Sequence, residues 1–320
     1  MRRILLALGL ALLSPLVAEF LLGDFPLTYL YFLLLLAPTY GGAAVVIREV
    51  ARRKGLGWPS IVLMALAYGV FEEGIMTMSL FNPDYAGQRL LDPGYVSALG
   101  IGVPWTLFVL ALHTVWSVSV PIAVMEELAG ERRTTPWLGR AGLSVAAALA
   151  ALGAASTTLF SYQNGHFLAS VPQLVSIVVI VVLLVVAAFR LPRPGRAPEW
   201  ATGRAPSPWL VLGAALVAGL VFELQTVIQG LPVWLTIAGL VAAEAGIAWA
   251  ALTWSAREGW DGRHRMALAG GALLTYAWHA FFSHPLVPSS LGLDLASHLV
   301  FGLGAVALLV VALQRVKSNV

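Results

Sequence analysis

The chain has 320 residues, of which 59% are hydrophobic and 11% charged, with a mean hydropathy of +0.85. Soluble domains carry roughly 25% charged residues, so this composition excludes an ordinary water-soluble fold and describes an all-α, polytopic integral membrane protein. No cysteine is present, which removes disulfides, thiolate metal ligands and cysteine nucleophiles, and the net charge of +3 is small.

Apolar runs long enough to cross about 30 Å of hydrocarbon fall at about 4–22, 27–47, 58–81, 101–127, 141–160, 172–190, 208–229, 231–253, 266–284 and 293–313. Ten spans place both termini on one side. Eighteen of the nineteen Lys and Arg residues then share that side, leaving only Arg89 opposite. The positive-inside rule makes it the cytoplasmic side. The basic residues therefore read as topology in a multi-pass protein of the bacterial inner membrane type; the bilayer is the expected partner and nucleic acid is not. Met1-Arg2-Arg3 ahead of an apolar run also resembles a signal peptide with a cleavage region at Pro15–Ala18, but an uncleaved first helix is the preferred reading.

The second span holds Pro38-Thr39-Tyr40-Gly41-Gly42, which removes a backbone donor and loosens the helix, so a kink or local unwinding is expected. Arg48, Glu49, Arg52, Arg53 and Lys54 follow as a cytoplasmic cluster, whose preferred reading is simple orientation of the chain, with contact to anionic lipid head groups as the alternative. The third span carries adjacent acids, Glu72 and Glu73. A charge at the bilayer centre costs roughly 2.5–3.5 kcal/mol on the mildest scale, so the pair is expected inside the bundle. Regular helical spacing sets Tyr68, Glu72 and Ser79 on one stripe and Gly69, Glu73 and Thr77 on the next. Only one stripe would then face a given cavity.

The external stretch 82–100 reads as a connector broken by Asn82-Pro83-Asp84 and Asp92-Pro93-Gly94. His113, in the fourth span, lies at a depth comparable to Glu72 in what should be an antiparallel neighbour. The cytoplasmic Pro/Arg-rich stretch 191–207 is expected to link a six-helix sub-bundle, 1–190, to a four-helix one, 208–320. Further intramembrane polar groups are Glu223, Glu244, His279 with Ser283, and His298. Each is a cavity candidate or hydrogen-bonded packing glue.

Glu72-Glu73 followed by His113 in the next helix resembles the CAAX-protease and bacteriocin-processing family of intramembrane proteases. His279-Ala280-Phe281-Phe282-Ser283 stands for that family's later His motif, with Ser283 in place of Asn, and Thr77 occupies its Arg position. The resemblance implies Glu72 or Glu73 as the water-activating base, with His113 and His279 binding a metal or stabilising the oxyanion. Glu72, His113 and His279 would then be ligands of a divalent ion such as zinc. A membrane-embedded hydrolase acting on a hydrophobic peptide or small molecule is the first expectation. A proton- or ion-coupled transporter and a non-catalytic scaffold are the alternatives.

The charge partition makes a direct prediction. Reporter fusions at Gly130 and Ser318 should report the cytoplasm and one at Pro93 the opposite side; a periplasmic signal at Ser318 would refute the ten-span topology.

Overall fold

The computed structural model describes residues 2–193, 195, 201–228 and 230–318. Nine helices in it are long and apolar enough to cross a membrane: α1 (Arg3–Phe20), α2 (Phe32–Arg53), α3 (Trp58–Met76), α4 (Val103–Arg132), α5 (Arg140–Gly165), α6 (Val171–Arg190), α7 (Pro208–Val227), α8 (Val233–Ser255) and α10 (Leu291–Val316). The remaining expected span forms α9 (Gly262–His279). It is less apolar because it opens with Arg263, His264 and Arg265, and most of its residues are buried among neighbouring helices.

Contacts at its two ends show that α9 nevertheless runs the full height of the bundle. At its start, His264 Nε2 meets the carbonyl of Pro206 at 3.0 Å, Arg265 pairs with Glu127, and Gly262 lies against Val316. At its far end, His279 faces Glu223 at 3.3 Å, and Ser283 and His298 lie beside Gly23. The start of α9 therefore shares a face of the bundle with the end of α10, and the end of α1 lies at the opposite face. The start of α1 and the end of α10 thus sit at one face, as ten passes require. Parts of the expected linker, residue 194 and residues 196–200, lie outside the described residues. One apolar core draws Leu10, Ile61, Trp116, Leu273 and Leu309 from both sides of that linker.

The first four helices share a departure from regular geometry. Leu16–Phe20, Ala37–Gly41, Glu72–Met76 and His113–Ser119 each form a widened turn with i→i+5 bonding, for example Thr77 N to the Glu72 carbonyl at 2.9 Å. Such turns concentrate at functional sites because they redirect side chains without ending the helix. The Pro38–Gly42 segment is accordingly widened rather than unwound. There the chain also packs very closely: a Cβ on Gly41 would lie 2.0 Å from the Ala11 carbonyl oxygen, and Gly153 of α5 abuts Thr39. Small residues at such crossings let membrane helices approach backbone to backbone.

The external stretch ends in a short antiparallel hairpin pairing Tyr95 with Gly102 and Val96 with Ile101. At the cytoplasmic face, Arg48 and Glu49 are fully buried rather than facing head groups. Arg48 binds Glu49 (2.7 Å) and Glu126 (3.1 Å) and lies 3.5 Å from the centre of the Trp137 ring, while Arg52 binds Glu126 at 2.6 Å. The reason is Glu126 on α4, whose carboxylate draws the cations inward.

Two packing predictions follow from these contacts. Gly41→Ala should destabilise the protein by roughly 1–3 kcal/mol through overpacking, whereas Gly246→Ala, with open space around its Cβ, should be neutral or slightly stabilising. Glu126→Gln should cost about 3–5 kcal/mol by leaving buried guanidinium groups short of a counter-charge. Thermal unfolding in detergent ranks the three variants.

Candidate functional site

The widened turns of α1 to α4 bring their polar residues to one place. His113 stands between the adjacent acids: its Nδ1 is 3.1 Å from Glu72 Oε2 and its Nε2 2.8 Å from Glu73 Oε1. All three residues are buried, with Glu72 only 1% exposed. A regular helix would turn one acid away from the histidine. The widened turn that begins at Glu72 reduces the rotation between successive residues, so both carboxylates reach the same ring.

The two glutamates differ in their surroundings. Glu73 Oε2 accepts hydrogen bonds from the hydroxyls of Thr77 (3.0 Å) and Ser79, and Trp105 Nε1 donates to Ser79 at 3.1 Å. Ser79 therefore serves Glu73, not Glu72 as regular spacing implied, because the helix ends at Met76 and the chain turns back through Met78 at φ 56°. Glu72 Oε2 makes no aligned hydrogen bond, although the Tyr68 hydroxyl lies beside the carboxylate. His113 Nδ1 is also 3.1 Å from Ser117 Oγ. The Tyr40 ring stacks near His113 at 6.0 Å, and Tyr68 meets it edge-on at 6.3 Å.

Further groups surround this trio. Glu19 of α1 acts electrostatically on His113 and Glu73, and it contacts both the Tyr40 hydroxyl and the Asp24 carboxyl. Asp24 lies just beyond α1; burial, then the neighbouring Glu19, hold its carboxyl well above the ordinary range. Tyr85 of the external loop contacts Thr77, and its phenol is raised by burial first and then by Glu73, Glu72 and Glu19. An acid within an apolar first span is itself a functional signal, so Glu19 was detectable in the sequence. Tyr40 and Tyr85 were not.

Beside the trio, a cavity of about 190 Å³ is lined by Thr39, Ala43, Tyr68, Phe71, Met76, Ala150, Ala151 and Ala154. It lies between α2, α3 and α5, and Tyr68 belongs both to it and to the acid cluster.

The other expected site residues lie elsewhere. His279 faces Glu223, not Glu72, Glu73 or His113, and both Glu223 Oε1 and His279 Nδ1 lack an aligned hydrogen bond. Ser283 Oγ donates to the Leu22 carbonyl at 3.0 Å. His298 packs edge-on against Phe281, and Glu244 sits on α8 with one oxygen unpartnered. The four-residue arrangement implied by the protease resemblance is thus divided between two Glu–His centres. Among the described residues, Glu72, Glu73 and His113 form the group whose ligand atoms all lie within 4.8 Å of one another. Two carboxylate oxygens and one imidazole nitrogen suit a divalent ion such as zinc, and Thr77, Ser79 and Ser117 supply the outer hydrogen bonds that orient ligands.

Residues 8–314 match the model of an uncharacterized membrane protein family, and the chain belongs to that family. No curated protein and no solved structure matches it.

The geometry predicts energetic coupling. In a double-mutant cycle read by chemical unfolding, Glu73→Gln and His113→Gln should couple by about 0.5–3 kcal/mol, whereas Glu73→Gln and His279→Gln should add to within roughly 0.3–0.5 kcal/mol.

Proposed function

We propose that this chain, a member of that membrane protein family, is a membrane-embedded hydrolase acting on an apolar peptide that reaches the site from the bilayer. The observation that carries the reading is the His113 ring held between two carboxylates of unequal engagement, next to a cavity between helices. Glu73, engaged by Thr77, Ser79 and His113, fixes the imidazole. Glu72, with an oxygen free of aligned donors, is the base that takes a proton from water. As the water oxygen bonds to the scissile carbonyl carbon and the C–N bond breaks, His113 passes the proton taken up by Glu72 to the leaving amine, and Tyr68 stands where the cavity meets the acids to orient that carbonyl.

Glu72, Glu73 and His113 would also hold a divalent ion. Such an ion supplies a more acidic bound water and polarises the carbonyl. With such an ion the three side chains would serve as its ligands; without it Glu72 and His113 move protons and Glu73 orients. His279 has no part in this step, which departs from the role the protease resemblance gave it. A second reading, proton-coupled transport, is favoured by one observation: Asp24, Glu19 and Tyr40 continue the acid–base groups outward from His113.

Proteoliposomes containing single-span apolar peptides test the proposal, with products read by mass spectrometry. Glu72→Gln keeps the side-chain volume but cannot accept the proton, so cleavage should fall by about 10²–10⁴-fold while the melting temperature stays close to wild type. Cleavage by Glu72→Gln at the wild-type rate would refute the mechanism. Absence of cleavage by wild type, combined with altered pH dependence of solute uptake in the variant, would favour transport.

A further inference from the structure

We propose that Glu19, with Asp24 and Tyr40, lines an aqueous inlet that joins the external face to the Glu72–Glu73–His113 cluster and favours cations over anions. The inlet follows from geometry and holds whether the cluster hydrolyses or transports.

The first support is how these side chains are enclosed. Glu19, Asp24 and Tyr40 are each half-buried and keep accessible surface of their own, and they neighbour one another and the trio. Half-buried polar side chains leading to a buried polar cluster fit the wall of a crevice. Glu72, Glu73 and His113, at 1%, 4% and 4% exposure, form its closed end.

Continuity of contact is the second support. Asp24 touches Glu19, Glu19 touches the Tyr40 hydroxyl, and the Tyr40 ring stacks near His113. The outer end of this series lies at the external face, where Gly23 abuts Ser283 and His298 and the Asp24 carbonyl accepts from Leu286 N at 3.0 Å. Phe25, Tyr29, Tyr31 and Phe32 form an aromatic cluster beside it, as expected where a chain crosses the membrane–water interface.

Charge is the third. Four carboxyl groups, those of Asp24, Glu19, Glu72 and Glu73, act electrostatically on one another along this series. Among the described residues, the basic side chain acting on Glu19 and Glu72 is His113. A narrow space lined by one sign of charge between low-dielectric walls focuses the field and concentrates counter-ions by roughly 10–10³-fold. Glu72 Oε2 at the closed end lies 3.1 Å from His113 Nδ1 without an aligned hydrogen bond, and it gives an arriving water or cation an acceptor to bind.

The natural lack of cysteine makes the test clean. Single-cysteine variants Glu19→Cys and Tyr40→Cys are treated in right-side-out membrane vesicles with membrane-impermeant methanethiosulfonates. Both should be labelled from outside by the cationic trimethylammonium reagent, at least about 10-fold faster than by the anionic sulfonate reagent, while Val17→Cys, 3% exposed on the same helix, stays unlabelled. Native protein provides a check independent of folding of the variants: a water-soluble carbodiimide with an amine nucleophile should modify Glu19, located by peptide mass mapping. Labelling of Glu19→Cys only from the cytoplasmic side, or equal rates with both reagents, would overturn the proposal. So would a native Glu19 that reacts only with a lipid-soluble carbodiimide.

Discussion

The constraint on which the rest of this structure depends is the need to hold two consecutive carboxylates inside an apolar slab. Neither glutamate can be turned toward lipid, and a regular helix cannot direct both inward at one partner. The chain meets this by widening α3 at Glu72 and widening α4 at His113, so that one imidazole bridges both acids. Thr77, Ser79 and Trp105 then complete the surroundings of Glu73. The matching widened turns in α1 and α2 bring Glu19 and Tyr40 to the same region, so the four helices act as a set.

Close helix packing makes that arrangement possible. Gly41 lets the backbone of α2 meet Ala11, Gly69 lies against the Cβ of His113, and Gly219 lies against Thr275 on α9. Below the site, the buried network of Arg48, Glu49, Arg52 and Glu126 ties α2 to α4, and Arg265 with Glu127 ties α4 to α9. The same α4 that presents His113 is therefore clamped at its cytoplasmic end by two sets of ion pairs. Its imidazole is held by a rigid element, as the proposed acid–base chemistry requires.

The second Glu–His centre differs in kind. Glu223 and His279 meet on α7 and α9, next to an aromatic stack in which Trp116 lies between Phe222 and Tyr276. Its groups have fewer aligned donors than Glu73 has. The structure thus separates a well-supported Glu–Glu–His cluster from a sparsely supported Glu–His pair, and the chemistry proposed above uses only the former.

By itself the sequence determined the quantities that run along the membrane normal. Segment lengths and hydropathy located ten helices, the placement of Lys and Arg gave them a common orientation, and residue counts gave the depths of Glu72 and His113, because a helix advances a fixed 1.5 Å per residue. Matched depth in successive antiparallel helices was enough to anticipate that His113 and the glutamates would be neighbours. Only the tertiary structure decided direction around each helix and the choice of neighbour. The widened turn at Glu72 accompanies the approach of both glutamates to His113, and the end of the helix at Met76, with the chain turning back through Met78, is why Ser79 serves Glu73. Neighbour choice depends on packing among helices far apart in sequence: Glu126 draws Arg48 inward, Glu223 takes His279, and Glu19 joins the site from a helix whose apolar sequence gives no sign of which partners it will meet.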